Sequence, residues 1–179
     1  MIQKSSSVKG MIYASMFGAL TAIGAFIVIP LPPVPITLQT MFLNLAAALL
    51  GPYLGALSQV IYILLGVIGL PVFAGGKAGI GVLLGPTGGY LVGFVLAALI
   101  IGKLLKSRKK PGPIWVGASM LAGMIIIYAT GVLQLAMVAK LSLEKAFAVG
   151  VLPFLPGDVV KIVLASLIYI KVRNSIKIS

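Results

Sequence analysis

Apolar residues run through this chain in long blocks, and polar residues gather in the breaks between them. Crossing a bilayer core of about 30 Å takes roughly 20 apolar residues in a helix. A first block spans about Val8 to Ile29 and stops at Pro30-Leu-Pro-Pro-Val-Pro35, where four prolines in six residues forbid a helix. From Ile36 to Gly69 the chain carries no charge for 34 residues. One helix of that length would reach roughly 50 Å, so the Gly51-Pro52 pair is read as a tight turn between two spans. After Leu70-Pro71 comes a loop with seven glycines between Gly75 and Gly89, then a span at about Tyr90 to Leu105. A polar run from Lys103 to Gly112 leads to an uncharged span at about Ile114 to Ala139. A short polar link then passes through Pro153 and Pro156 to a last span at about Val159 to Val172. The pattern predicts an all-α integral membrane protein, a compact bundle of six transmembrane helices in one domain over residues 1–179.

The charges orient this bundle. Fourteen basic residues oppose two acidic ones, and ten of the fourteen fall in three groups: Lys4 and Lys9, Lys103 to Lys110, and Lys171, Arg173 and Lys177. With a turn at Gly51-Pro52, an even number of spans separates each group from the next, so all three lie on one side. The positive-inside rule makes that side the cytoplasm, with both termini in it. A single span from Ile36 to Gly69 would put the first two groups on opposite faces.

Composition narrows the chemistry. The chain is 60% hydrophobic and 9% charged, where soluble domains run near 25% charged, so bulk water is excluded as its main solvent. Without Cys or His there is no thiolate, no imidazole base and no soft or imidazole metal ligand. The only acids, Glu144 and Asp158, make neither a paired-carboxylate hydrolase nor a cage for a hard cation. The stretch Gly75-Gly76-Lys77-Ala78 fails as a phosphate loop, because Pro71 stands at the first glycine and Ala78 at the magnesium-binding hydroxyl. No enzymatic activity, metal or cofactor is expected. Nor is nucleic acid, since the basic groups flank apolar segments without interleaved aromatics. The first apolar block is also too long for a signal peptide and ends in prolines.

With this topology three loops face outward, and Asp158 and Lys161 lie near the outer surface. Asp158 follows Pro156-Gly157, where a carboxylate can cap the last helix, and Lys161 shares its helical face. They form either an intrahelical ion pair or part of a substrate path, the usual meaning of ionisable groups within spans. Thr37, Gln39 and Thr40 at the second helix, and Thr87 and Tyr90 at the fourth, either line the same cavity or cap helix starts. Lys77 is a further ligand candidate; the plain alternative is a solvated lysine. Phe73, Tyr53, Tyr62 and Trp115 are binding aromatics or interfacial anchors, Trp115 the latter because it follows the basic loop. In the first helix Gly10, Ala14, Gly18 and Ala22 recur every four residues, a small-residue stripe that marks a contact face, either within the bundle or for another membrane subunit.

Five segments carry a family resemblance: Tyr13-Ala-Ser-Met-Phe-Gly-Ala-Leu-Thr-Ala22, Pro35-Ile-Thr-Leu-Gln-Thr40, Gly69-Leu-Pro-Val-Phe-Ala-Gly-Gly76, Gly85-Pro-Thr-Gly-Gly-Tyr90 and Pro153-Phe-Leu-Pro-Gly-Asp-Val-Val-Lys161. In this order and at these intervals they resemble the BioY family, the biotin-specific substrate-binding subunits of energy-coupling factor transporters. The resemblance implies a six-helix bundle that captures biotin from outside, its outer loops closing over the ligand. It implies a transmembrane coupling subunit and a pair of cytoplasmic ATPases as partners. By position, Asp158 and Lys161 match the family's sixth-helix motif and are expected to hold polar groups of biotin. The loop from Gly69 to Tyr90 and the segment from Pro30 to Gln39 match its ligand-covering regions, with Thr37, Gln39, Phe73, Lys77, Thr87 and Tyr90 as candidates. Ala14, Gly18 and Ala22 match its docking surface, with Gly18 where many relatives have Ala. The same fold carrying another vitamin, and a ligand-free membrane assembly protein, are the alternative readings.

Overall fold

The computed structural model describes residues 3–173, with side chains from Val8 onward. Lys177 lies outside the described residues, as does the side chain of Lys4. Eight helices are present: α1 (Gln3–Phe26), α2 (Gln39–Leu50), α3 (Pro52–Val67), α4 (Ile80–Leu84), α5 (Gly88–Lys106), α6 (Pro113–Ala139), α7 (Leu143–Gly150) and α8 (Leu155–Val172). Two-residue strands, β1 (Val28–Ile29) and β2 (Ile36–Thr37), pair antiparallel across the proline-rich segment.

The fold is all-helical, and among the described residues two short helices, α4 and α7, accompany the six long ones. The two additions lie in stretches read as loops. α4 is a single turn set between glycines, and α7 is nucleated by Ser142, whose side chain accepts from the Lys145 backbone N–H at 3.3 Å, with Glu144 in the first turn. The last helix also begins earlier than expected, at Leu155, because Pro156 falls in its first turn, where a missing N–H is harmless.

Among the described residues four stretches are long and apolar enough to cross a membrane, and the bent pair α7–α8, at 52°, adds a fifth. One of the four, Gln39–Val67, folds back on itself. At Gly51 the backbone adopts φ 81°, and Pro52 opens α3 directly after it. A Cβ on Gly55 would stand 2.7 Å from the Ala47 Cα, and the Gln39 amide donates to the Tyr62 hydroxyl. In an unbroken helix those pairs would be about 12 Å and about 35 Å apart.

α3 returns alongside α1. Gly10 faces Leu54, and a Cβ on Gly18 would stand 3.0 Å from the Ser58 carbonyl oxygen. Gly10, Ala14, Gly18 and Ala22 are all buried. Ala14, Gly18 and Ala22, matched above to a docking surface, are thus buried in the isolated chain, with Gly18 against α3. Similar close approaches seat Gly102 of α5 on Pro52 and Gly123 of α6 on Ile101.

Large apolar side chains such as Ile12, Leu64, Ile125 and Leu167 are exposed, while Thr21, Asn44, Gln59, Asp158 and Lys161 are buried. That inversion of the soluble pattern suits a lipid surround. The basic groups gather at one end. Arg173 donates to the Pro111 carbonyl at 2.8 Å, and the Arg108 guanidinium lies 3.9 Å over the Trp115 ring, whose N–H donates to Leu104 at 3.0 Å. Lys9 joins them, since its neighbour Gly10 meets Leu54 just above the Pro52–Gly102 contact. Tyr53, 74% exposed, sits at the same end as an anchor, away from any site.

Candidate ligand-binding site

At the opposite end α2, α5, α6 and α8 surround a cavity of about 720 Å³ of empty space, the open solvent at its mouth included. Leu91, Phe94, Met124, Ile127 and Phe154 make most of its wall apolar. All eight candidate ligand residues, Thr37, Gln39, Phe73, Lys77, Thr87, Tyr90, Asp158 and Lys161, lie on this wall.

Each has a local reason to be there. Gly75 and Gly76, at φ 72° and 73°, let the chain turn back so that the Phe73 N–H donates to the Lys77 carbonyl at 3.0 Å. This turn buries the Phe73 ring and leaves Lys77 exposed at the rim. The ring fills the space over Gly66, where a Cβ would lie 2.1 Å from its Cζ, and meets Tyr62 edge-on at 5.7 Å. Tyr62 is thus a packing residue behind the wall. Thr37 donates to the Gln39 side-chain oxygen at 2.7 Å, and Gln39 passes its amide on to Tyr62, so this edge of the cavity is a hydrogen-bonded chain. Tyr90 donates to the Gly150 carbonyl at 3.0 Å and fastens α5 to α7. Thr87 stands at the start of α5 but makes no side-chain capping bond.

Asp158 does not cap its helix. The N-cap is Phe154, whose carbonyl accepts from the Asp158 N–H at 2.9 Å, so the carboxylate lies a full turn inside α8 and projects into the cavity. There Oδ1 accepts from the Lys161 ammonium at 2.9 Å and from the Thr40 hydroxyl at 3.4 Å, and Oδ2 accepts from the Tyr128 hydroxyl. Asp158 and Lys161 are each only 6% exposed. The ion pair and the path-lining reading are therefore one arrangement, a buried pair set in the cavity wall.

Tyr128 is a residue of the cavity wall that sequence reasoning passed over. It lies near the midpoint of α6, in the uncharged span. A tyrosine so far from either interface, where tyrosines in membrane helices settle, was the available signal.

Comparison with known proteins accords with this geometry. The model of the BioY family matches residues 1–178. The biotin transporter BioY of Thermotoga maritima is 47% identical over 166 residues, which cover 93% of this chain and 96% of that protein. The probable biotin transporter BioY of Pyrococcus horikoshii is 44% identical over 154 residues, 86% and 90% of the two chains. A crystal structure of the S-component for biotin from an ECF-type ABC transporter is similar at a TM-score of 0.88 and 32% identity, covering 95% of this chain and 93% of that one.

Proposed function

This chain belongs to the BioY family, and from that premise we propose that it is the substrate-binding subunit of an energy-coupling factor transporter, taking up biotin across the cell membrane. The observation that carries the reading is the buried Asp158–Lys161 pair in the cavity wall. Removing two charges from water costs several kcal/mol per ion on general grounds, and apolar residues of similar volume would close the bundle as well or better. A pair kept beside a mouth open to the outer face has its use there.

The pair matches biotin's ureido group. A carboxylate has about four lone-pair positions, and Lys161, Thr40 and Tyr128 engage three on Asp158. An ammonium has three N–H donors, and Lys161 uses one on Asp158. One acceptor and two donors side by side complement an N–H next to a C=O. Lys77 at the rim has no acidic partner among the described residues and meets the valerate carboxylate. Between them the apolar wall receives the thioether ring and chain.

Six of the helices, α1, α2, α3, α5, α6 and α8, cross the membrane with both termini in the cytoplasm; the basic end supports this orientation. The chain forms one domain over residues 1–179 and has no phosphate loop of its own. A transmembrane coupling subunit and a pair of cytoplasmic ATPases supply the energy, and biotin is its substrate rather than a cofactor. The family is one of transporters, not enzymes, and nucleic acid has no part in its work. Calorimetric titration of the detergent-purified protein with biotin, with mass spectrometry of any ligand released on unfolding, tests the reading. Saturable one-site binding is expected. Release of a different vitamin, or no response to biotin, overturns it.

A further inference from the structure

A carboxylate can only accept hydrogen bonds, so the phenol of Tyr128 must be the donor in its contact with Asp158 Oδ2. A phenol has a single O–H, and here that proton is committed. Tyr128 also lines the cavity. What it turns toward a ligand is thus restricted to the lone pairs of its oxygen. The same bond, with those from Lys161 at 2.9 Å and Thr40 at 3.4 Å, holds the carboxylate from three helices, so its remaining lone pair points in one direction.

We propose that Tyr128 is a specificity-determining residue of the site, an acceptor-only phenol that selects a ligand with a second N–H donor beside the one that meets Asp158. This rests on the biotin reading above and deepens it: Asp158 and Tyr128 supply two acceptors and Lys161 the donors, the complement of a cyclic urea with two N–H groups and one carbonyl. A site that answers a ligand N–H with a buried acceptor rejects the analogue lacking it, because that acceptor is left unpaired.

Two lactam analogues of biotin, each with one ureido N–H replaced by CH₂, provide the test. The wild-type protein is expected to bind both about 5- to 150-fold more weakly than biotin, the factor for a buried acceptor left unpaired. In Tyr128→Phe the affinity for biotin falls about 10-fold, and the preference for biotin over one lactam collapses to near unity. The preference over the other lactam is retained. Tyr128→Gln, which restores a carbonyl acceptor, recovers discrimination and serves as the second variant where the phenylalanine protein folds poorly. A uniform loss for all three ligands with both ratios intact overturns the proposal and leaves Tyr128 as packing. Unchanged affinities overturn it as well. If the wild-type protein fails to bind biotin at all, the biotin reading itself falls, an outcome distinct from either.

Discussion

The seam between α1 and α3 and the wall where α2, α6 and α8 meet are made from the same kind of apolar helix, and both bury polar side chains. In the seam these groups are neutral and mostly satisfied close by. Thr21 donates to the Phe17 carbonyl at 2.9 Å, Ser58 to Gly55 at 2.6 Å, and Gln59 reaches Thr21 at 3.3 Å. Glycines let the two backbones close completely. In the wall Asp158 and Lys161 are charged, Thr40 and Tyr128 bond to that charge, and one carboxylate draws donors from three helices. In an apolar medium a buried hydroxyl bonded to its own helix is structure; a buried charge that needs its neighbours is a site.

The strongest test of this contrast removes the cation from the wall. Lys161→Ala leaves Asp158 buried without its counter-charge and is expected to lower stability by about 3–5 kcal/mol, read from thermal or denaturant unfolding in detergent, with biotin binding lost. A change below about 1 kcal/mol, the level of an exposed pair, would mean that water reaches the wall and that the two regions differ less than their geometry implies. Asp158→Asn keeps the shape and removes the charge. It should weaken biotin binding by about 1.5–3 kcal/mol, and an unchanged titration would return Asp158 to the same structural standing as Thr21.

The seam responds differently. Gly18→Leu forces side-chain atoms against the Ser58 carbonyl, 3.0 Å from the nearest Cβ position, and should destabilise the isolated protein by about 1–3 kcal/mol. The fraction that remains folded should bind biotin normally. If unfolding is unaffected and only recovery with the coupling subunit falls, the stripe is a docking surface after all. The smallest effect is expected at the exposed edge of the same helix, beside the stripe. Ser15 is exposed, so Ser15→Leu should shift stability by no more than about 0.5 kcal/mol, measured in the same unfolding experiment.

Much of the site was legible in the chain itself because its signals are local. Asp158 and Lys161 stand three residues apart in an apolar span, so helical geometry alone makes them neighbours. Phe73 and Lys77 flank a glycine pair that forces a turn. Tyr128 gave no such sign, since its partner is 30 positions away on another helix, and Thr40 bonds to the same carboxylate across 118 positions. The capping role expected of Asp158 failed for an equally local reason: Pro156 is tolerated within the first helical turn, which moved the helix start and released the carboxylate. α7 was missed because its short polar link was read for charge alone, although Ser142 capping the Lys145 N–H and Glu144 in the first turn are helix-start signals.

The sequence by itself determined the solvent, the helices, the reversal at Gly51-Pro52 and the end at which the cations collect. Each follows from span length, backbone permission or charge, quantities that act over a few residues or over the whole composition. Which faces meet was decided only in three dimensions. A stripe of small residues states that something packs closely there, and the arrival of α3 made that neighbour internal. An aspartate and a lysine state that charge is present, and the closure of α2 and α6 around them supplied Thr40 and Tyr128 and set the ion pair in a cavity wall. Pairing between distant segments depends on the simultaneous fit of several helices, and no local pattern contains it.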